Sequence, residues 1–162
     1  MRAMRLHEIG GDLTLDEIEP PRPGAGEVLV EVAACGVNFA DTLMVKGAYQ
    51  EKPALPFAPG IEVAGRIAAL GEGVDGPAVG TRVAALPGAG GFAEAVCAPA
   101  ATCVALPDSM PFEDAAALQV AYGTSHVALD HRARLKPGER LLVLGAAGGV
   151  GLTAVEIGAL MG

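Results

Sequence analysis

The sequence predicts a mainly β, barrel-like domain followed by the start of an α/β domain. Three observations carry this. Short β-like runs separated by turn residues occupy the chain up to about residue 120. Glycine and proline are abundant, 23 and 12 of 162 residues, as a turn-rich β domain requires. Near the C-terminus, a run of four apolar residues, a glycine turn and a helix-compatible segment succeed one another between Leu141 and Met161, which is the opening of an α/β unit.

The elements follow in chain order. Leu13 to Ile18 reads as a first strand. Glu27 to Ala33 alternates with period two and is the clearest strand of the chain. Asn38 to Gly47 reads as a short helix, with Asn38 as N-cap and Gly47 as its stop. Ile61 to Ile67 follows the turn Pro59-Gly60 as a strand. Arg82 to Leu86, Phe92 to Cys97 and Cys103 to Leu106 complete the β set. Ser109, Pro111, Glu113 and Asp114 announce a helix running through Ala115 to Leu118. Tyr122 to Leu129 is helical, and Lys136-Pro-Gly-Glu139 turns into a buried parallel strand at Leu141 to Leu144. Val150 to Met161 then forms the last helix.

The turn between that strand and that helix carries chemistry. Ala146-Ala147-Gly148-Gly149-Val150-Gly151 matches the dinucleotide-binding pattern G-x-G-x-x-G, with Ala146 in place of the first glycine. Small residues let a pyrophosphate approach the backbone, and the helix N-terminus offers N–H donors and a partial positive charge. The competing reading is a plain glycine turn between a core strand and a core helix. Gly151 lies 11 residues from the end of the chain. A doubly wound fold needs two βαβαβ halves, and the residue that chooses NAD or NADP lies about 20 residues past the glycines. The expectation is therefore an N-terminal portion of a larger protein, cut inside its second domain.

Composition narrows the class. The chain is 51% hydrophobic and 19% charged, so a sizeable core is available. A net charge of −8 without a basic cluster argues against nucleic acid and anionic membrane surfaces as partners. No run approaches the roughly 18 apolar residues of a membrane span, and Met1 to Glu8 has no signal core. Cys35, Cys97 and Cys103 show neither a disulfide-framework spacing nor a C-x-x-C pair. The cytoplasm is the expected compartment.

Several segments together resemble one family. Gly26-Glu-Val-Leu-Val30, Gly36-Val-Asn-Phe-Ala-Asp41, Gly47-Ala-Tyr49, Pro59-Gly-Ile-Glu-Val-Ala-Gly65, Gly91-Phe-Ala-Glu94, Ala121-Tyr-Gly-Thr124 and Gly145 to Gly151 resemble, in order, the quinone oxidoreductase branch of the medium-chain dehydrogenase/reductases. The resemblance covers essentially the whole chain. It implies a GroES-like barrel domain over residues 1–120 and a truncated Rossmann domain over 121–162, with the active site in the cleft between them. Gln119 stands where relatives often carry proline.

The resemblance also bears on metal. Zinc-dependent relatives place a cysteine and a histidine at the positions of Asn38 and Ile61, neither of which is a normal zinc ligand. The four-cysteine lobe of those relatives is missing. His7, His126 and His131 have no ligand spacing with the cysteines, so no metal site is expected. Oxidising an unactivated alcohol needs a Lewis acid to stabilise an alkoxide. A zinc-free relative therefore suits a substrate that already accepts hydride, a quinone or an α,β-unsaturated carbonyl. The expected cofactor is NADPH, with NADH as the alternative, and the expected assembly a homodimer when complete.

Site residues follow from the same resemblance. Asn38 is expected to bond the nicotinamide ribose or a substrate oxygen, or simply to cap its helix. Asp41 is expected to orient Asn38, or to supply first-turn charge alone. Tyr49 matches a tyrosine lining the cleft, against the reading of an ordinary half-buried aromatic. Thr124 matches a threonine near the nicotinamide. Ala147, Gly148, Gly149, Val150 and Gly151 are expected to hold the pyrophosphate. Tyr122 reads as packing and Glu62 as structural. Two other functions remain open: an enoyl-thioester reductase with Tyr49 as proton donor, and a non-catalytic NADPH-binding or interaction module.

Overall fold

A computed structural model describes all residues from Met1 to Gly162. The chain divides into two compact units, Met1–Ala117 and Leu118–Gly162.

The first unit is built on β3 (Glu27–Cys35, with β1 and β2 as Arg2–Leu6 and Leu13–Glu17). After β3 come α1 (Phe39–Val45), β4 (Val63–Leu70), β5 (Arg82–Ala85), β6 (Ala95–Pro99), β7 (Val104–Ala105) and α2 (Phe112–Ala116). Five strands form one antiparallel sheet in the order β6-β3-β4-β5-β7. Period-two alternation places Val28 and Val30 of β3 inward, with Val63, Ile67, Val83, Val96 and Ala98 from its neighbours. Burying such aliphatic side chains contributes about 1.5–3 kcal/mol each. Gly65 is required where β4 passes β3 at a register shift, because a Cβ there would lie 1.9 Å from the Glu31 carbonyl oxygen. On the second cluster, Ala115 and Ala116 of α2 bury against Ala64 and Ala84. Arg82 stacks 3.9 Å above the centre of the Phe112 ring and donates to the Met110 carbonyl, which fixes α2 in place.

β1 and β2 pair with each other. Leu6 N–H donates to the Phe57 carbonyl at 2.7 Å and Met4 N–H to that of Phe92 at 2.8 Å. β1 has no counterpart in the sequence reading. Its residues, two arginines among them, are poor strand formers, and these tertiary anchors with buried Ala3 and Leu6 define it. Two strands start later than expected, β4 at Val63 and β6 at Ala95. The residues before them bond loop to loop: Gly91 N–H to Gly60 O at 2.9 Å, Phe92 N–H to Pro59 O at 2.9 Å, and Gly36 N–H to Glu62 O at 3.1 Å. α2 ends at Ala116 rather than Leu118.

The second unit contains α3 (Ala121–His126), a π-helical segment Val127–Ala133 and α4 (Gly149–Leu160). Arg134, at φ 54°, ends the π segment in the left-handed conformation. The strand expected at Leu141–Leu144 is a correction. These residues form no strand, and Leu142 and Leu144 are 83% and 86% exposed. A strand is defined by its ladder partners, and no strand lies within Leu118–Gly162 to provide one.

Candidate functional site

In the first unit the predicted residues Asn38 and Asp41 meet at the N-terminus of α1. Asn38 has extended backbone angles and occupies the N-cap. Asp41, 3% exposed, accepts the Asn38 N–H on Oδ2 at 2.7 Å and the Gly60 N–H on Oδ1 at 2.8 Å. One carboxylate thus satisfies a helix-end donor and a donor from the turn before β4. Asn38 and Asp41 occupy the two positions of a capping box. The Asn38 amide nitrogen is bound separately. Its Nδ2 donates to Oε1 of Glu62 at 2.9 Å, and Glu62 is 2% exposed.

Glycines let these segments close on one another. A Cβ at Gly36 would lie 2.4 Å from Glu62 Oε1 and 2.5 Å from the Ala116 carbonyl oxygen. Gly60, at φ +101°, leaves room for Gly91 and Phe92, whose atoms a Cβ would approach to 2.7 Å. Beneath them the Cys35 thiol donates to the Glu62 carbonyl at 3.1 Å. Burial, with the nearby charges of Asp41 and Glu62, pushes the Cys35 thiol up to about 12. That thiol is neutral and unsuited to nucleophilic or thiolate-ligand work at physiological pH.

Tyr49 lies beyond α1, half-buried against the cluster of Leu6, Met44 and Phe57. An apolar hollow lined by Ile9, Met44, Gly47, Leu55 and Phe57, with Lys46 and Lys52 at its edge, contains none of the predicted site residues.

In the second unit the glycine turn leads into α4 without a side-chain cap. Gly148 is the N-cap and α4 begins at Gly149. The first-turn N–H groups of a helix have no intrahelical acceptor, and Ala147 to Val150 are exposed. A Cβ at Gly149 would meet nothing within 4 Å, and one at Gly148 only Gly145 O at 3.4 Å. Open space lined by small residues at a helix N-terminus fits an anionic phosphate. Gly151 also serves packing, since a Cβ there would fall 2.1 Å from Gly145 O.

This helix end is held from behind. The Ser125 hydroxyl donates to the Val150 carbonyl at 2.7 Å and lies 2.7 Å from the Thr153 hydroxyl, which also reaches the Ala121 carbonyl at 3.1 Å. Tyr122, expected to serve packing, also donates its hydroxyl to Glu156 at 2.7 Å, and that bond raises its phenol above the ordinary range. Thr124 sits exposed on α3. The sequence reading missed Ser125 and Thr153, because small hydroxyl residues on helices carry no pattern of their own. It also missed the pairing of Glu62 with Asn38, which joins residues 24 positions apart.

An antiparallel β unit with α1 inserted between β3 and β4, followed by a glycine turn at a helix start, defines a class. Residues 24–108 match the alcohol dehydrogenase GroES-like domain. Quinone oxidoreductase-like protein 2 of Mus musculus is 42% identical over 156 residues, 96% of this chain and 45% of that protein. The human synaptic vesicle membrane protein VAT-1 homolog-like protein superposes with a TM-score of 0.95 at 37% identity, over 99% of this chain and 53% of that one. The quinone oxidoreductase of Thermus thermophilus, solved also in complex with NADPH, gives 0.87 at 41% identity, over 100% and 51%. The chain belongs to the quinone oxidoreductase branch of the medium-chain dehydrogenase/reductases, and spans about half the length of the relatives it matches. No helix is long and apolar enough to cross a membrane.

Proposed function

We propose that this chain is part of an NADPH-dependent reductase that transfers hydride, without zinc, to a quinone or an α,β-unsaturated carbonyl. The observation that carries the reading is the Asn38–Glu62 pair. Glu62 engages the amide nitrogen of Asn38, which leaves Oδ1 as the acceptor end of the side chain. An amide oxygen has two lone pairs, enough to take a hydroxyl such as that of the nicotinamide ribose.

When bound, the nicotinamide supplies the hydride. The chain's own residues bind and orient. Gly149, Val150 and Gly151 offer backbone N–H groups to the pyrophosphate, and Ala147 and Gly148 allow its close approach, the Gly148 N–H itself donating to the Gly145 carbonyl. Asp41 fixes the backbone of Asn38, and Glu62 its side chain. Tyr49 and Thr124 contribute hydroxyl groups as donors to substrate or cofactor. No Lewis acid is needed, because the anion formed from a quinone or enone is delocalised onto oxygen. A cytoplasmic homodimer with a small-molecule substrate, and no nucleic acid or membrane partner, completes the proposal. NADH is the alternative cofactor.

The test is NADPH consumption by the protein extended to the full length of its relatives, with 9,10-phenanthrenequinone beside crotonyl-CoA. Turnover of the quinone that survives a strong chelator is the expected result. Turnover abolished by chelation and restored by zinc would overturn the zinc-free reading. Preference for crotonyl-CoA would assign an enoyl-thioester reductase instead, and no turnover of either would assign a binding module.

A further inference from the structure

We propose that His126, Asp130 and His131 form a binding site for a divalent transition-metal ion of the nitrogen-preferring kind, Zn2+ or Ni2+. The site lies within the second unit and includes no residue assigned above to hydride transfer.

The π segment creates it. In a regular α-helix, residues five apart differ by about 140° around the axis and face apart. A π-helix bonds residue i to i+5, so residues five apart return to nearly the same face. The π segment starts immediately after His126. Ligand-capable atoms of His126, Asp130 and His131 consequently lie within 4.8 Å of one another. The two imidazole rings stand edge-on at 6.3 Å and 61°, and Nε2 of His131 lies 3.8 Å from Oδ2 of Asp130.

The chemistry and the geometry agree on the ion. Two imidazoles and one carboxylate suit Zn2+, Ni2+ or Cu2+ and do not suit the all-oxygen preference of Mg2+ or Ca2+. Around one tetrahedral Zn2+ with bonds near 2.1 Å, ligand atoms sit roughly 3.4 Å apart. Closing from 4.8 Å therefore requires about 1 Å of side-chain motion. His131 and Asp130 are 70% and 51% exposed, so small rotamer changes meet no packing. The remaining coordination positions face water. His7 offers no comparable set: its partner Asp16, at 2.7 Å, also has the Arg5 guanidinium at 3.4 Å, and a cation there would be repelled.

Chelator-washed 162-residue chain is titrated with ZnCl2, and separately with NiCl2, by calorimetry in a non-coordinating buffer. One saturable ion per chain is expected. His126→Asn, Asp130→Asn and His131→Asn should each weaken binding by at least about tenfold, while His7→Asn leaves it unchanged. All four positions are exposed, and circular dichroism confirms that helix content is kept. If His131 and Asp130 made only an ion pair, no saturable binding would be seen. That result, or binding that survives His126→Asn and His131→Asn, overturns the site. The outcome is separable from the hydride-transfer reading, which is judged by quinone turnover under chelation.

Discussion

Asn38 holds its amide between a buried carboxylate and whatever hydroxyl approaches it. Asn38→Ala in the full-length protein removes that acceptor without disturbing the Asp41 bridge, which uses the Asn38 backbone. A lost hydrogen bond of about 1–1.5 kcal/mol predicts roughly a tenfold fall in kcat/KM. Steady-state kinetics with unchanged constants would remove Asn38 from the site. At Gly148 the Cβ itself has room, 3.4 Å from its nearest neighbour, so the substituent's charge decides the effect. Gly148→Asp should abolish NADPH binding, measured by cofactor fluorescence, while Gly148→Ala weakens it modestly. Cys35 carries a pH dependence. Its thiol titrates near 12 when folded against 9.0 for an ordinary thiol. Between those values the unfolded chain has released a proton that the folded chain retains, so stability falls as pH rises above about 9. Denaturant midpoints should decline more steeply there than in Cys35→Ala.

At the scale of elements, α1 depends on one bridge. Asp41→Ala leaves the N–H groups of Asn38 and Gly60 without their acceptor. At about 1–3 kcal/mol for each unpaired donor, chemical denaturation should show a loss of roughly 2–6 kcal/mol. An unchanged midpoint would mean that water satisfies both donors. The elements also show what the sequence could reveal. β3 was legible because it is buried on one face and alternates strictly, and α1 because Asn38 and Gly47 mark its ends. β1 was not, because its definition lies in bonds to Phe57 and Phe92. The π segment was not, because no residue pattern distinguishes it from α-helix, and with it went the convergence of His126 and His131. The residues Leu141–Leu144 read as a strand from their apolarity alone, yet apolarity does not supply a ladder. At the candidate site, the glycine turn and Asn38 were legible as motifs. Glu62, Ser125 and Thr153 act through contacts that only folding brings about.

For the whole molecule, exposed apolar surface is the dominant consequence. Leu142, Leu144, Leu152 and Leu160 are all exposed in the second unit, with the backbone of 141–144 outside any sheet. Apolar patches of this kind seek cover. The 162-residue chain should self-associate, with an apparent mass by light scattering that rises with concentration, and should show no NADPH-dependent quinone turnover. Leu142→Lys with Leu144→Lys should suppress the association. A concentration-independent monomer would show that this surface is tolerated by water.

The central strand imposes a timetable on synthesis. β3 pairs with β6 from Glu27 opposite Pro99 to Glu31 opposite Ala95, so its edge stays open until about 70 further residues have been translated. At 5–20 residues per second that interval is roughly 4–14 s. β4 and β5 emerge within it and can pair earlier, but the edge of β3 that meets β6 waits for the ribosome to deliver Pro99. Nascent chains stalled before that residue should be cut by protease near Val28 and Val30, and chains stalled well beyond it should resist.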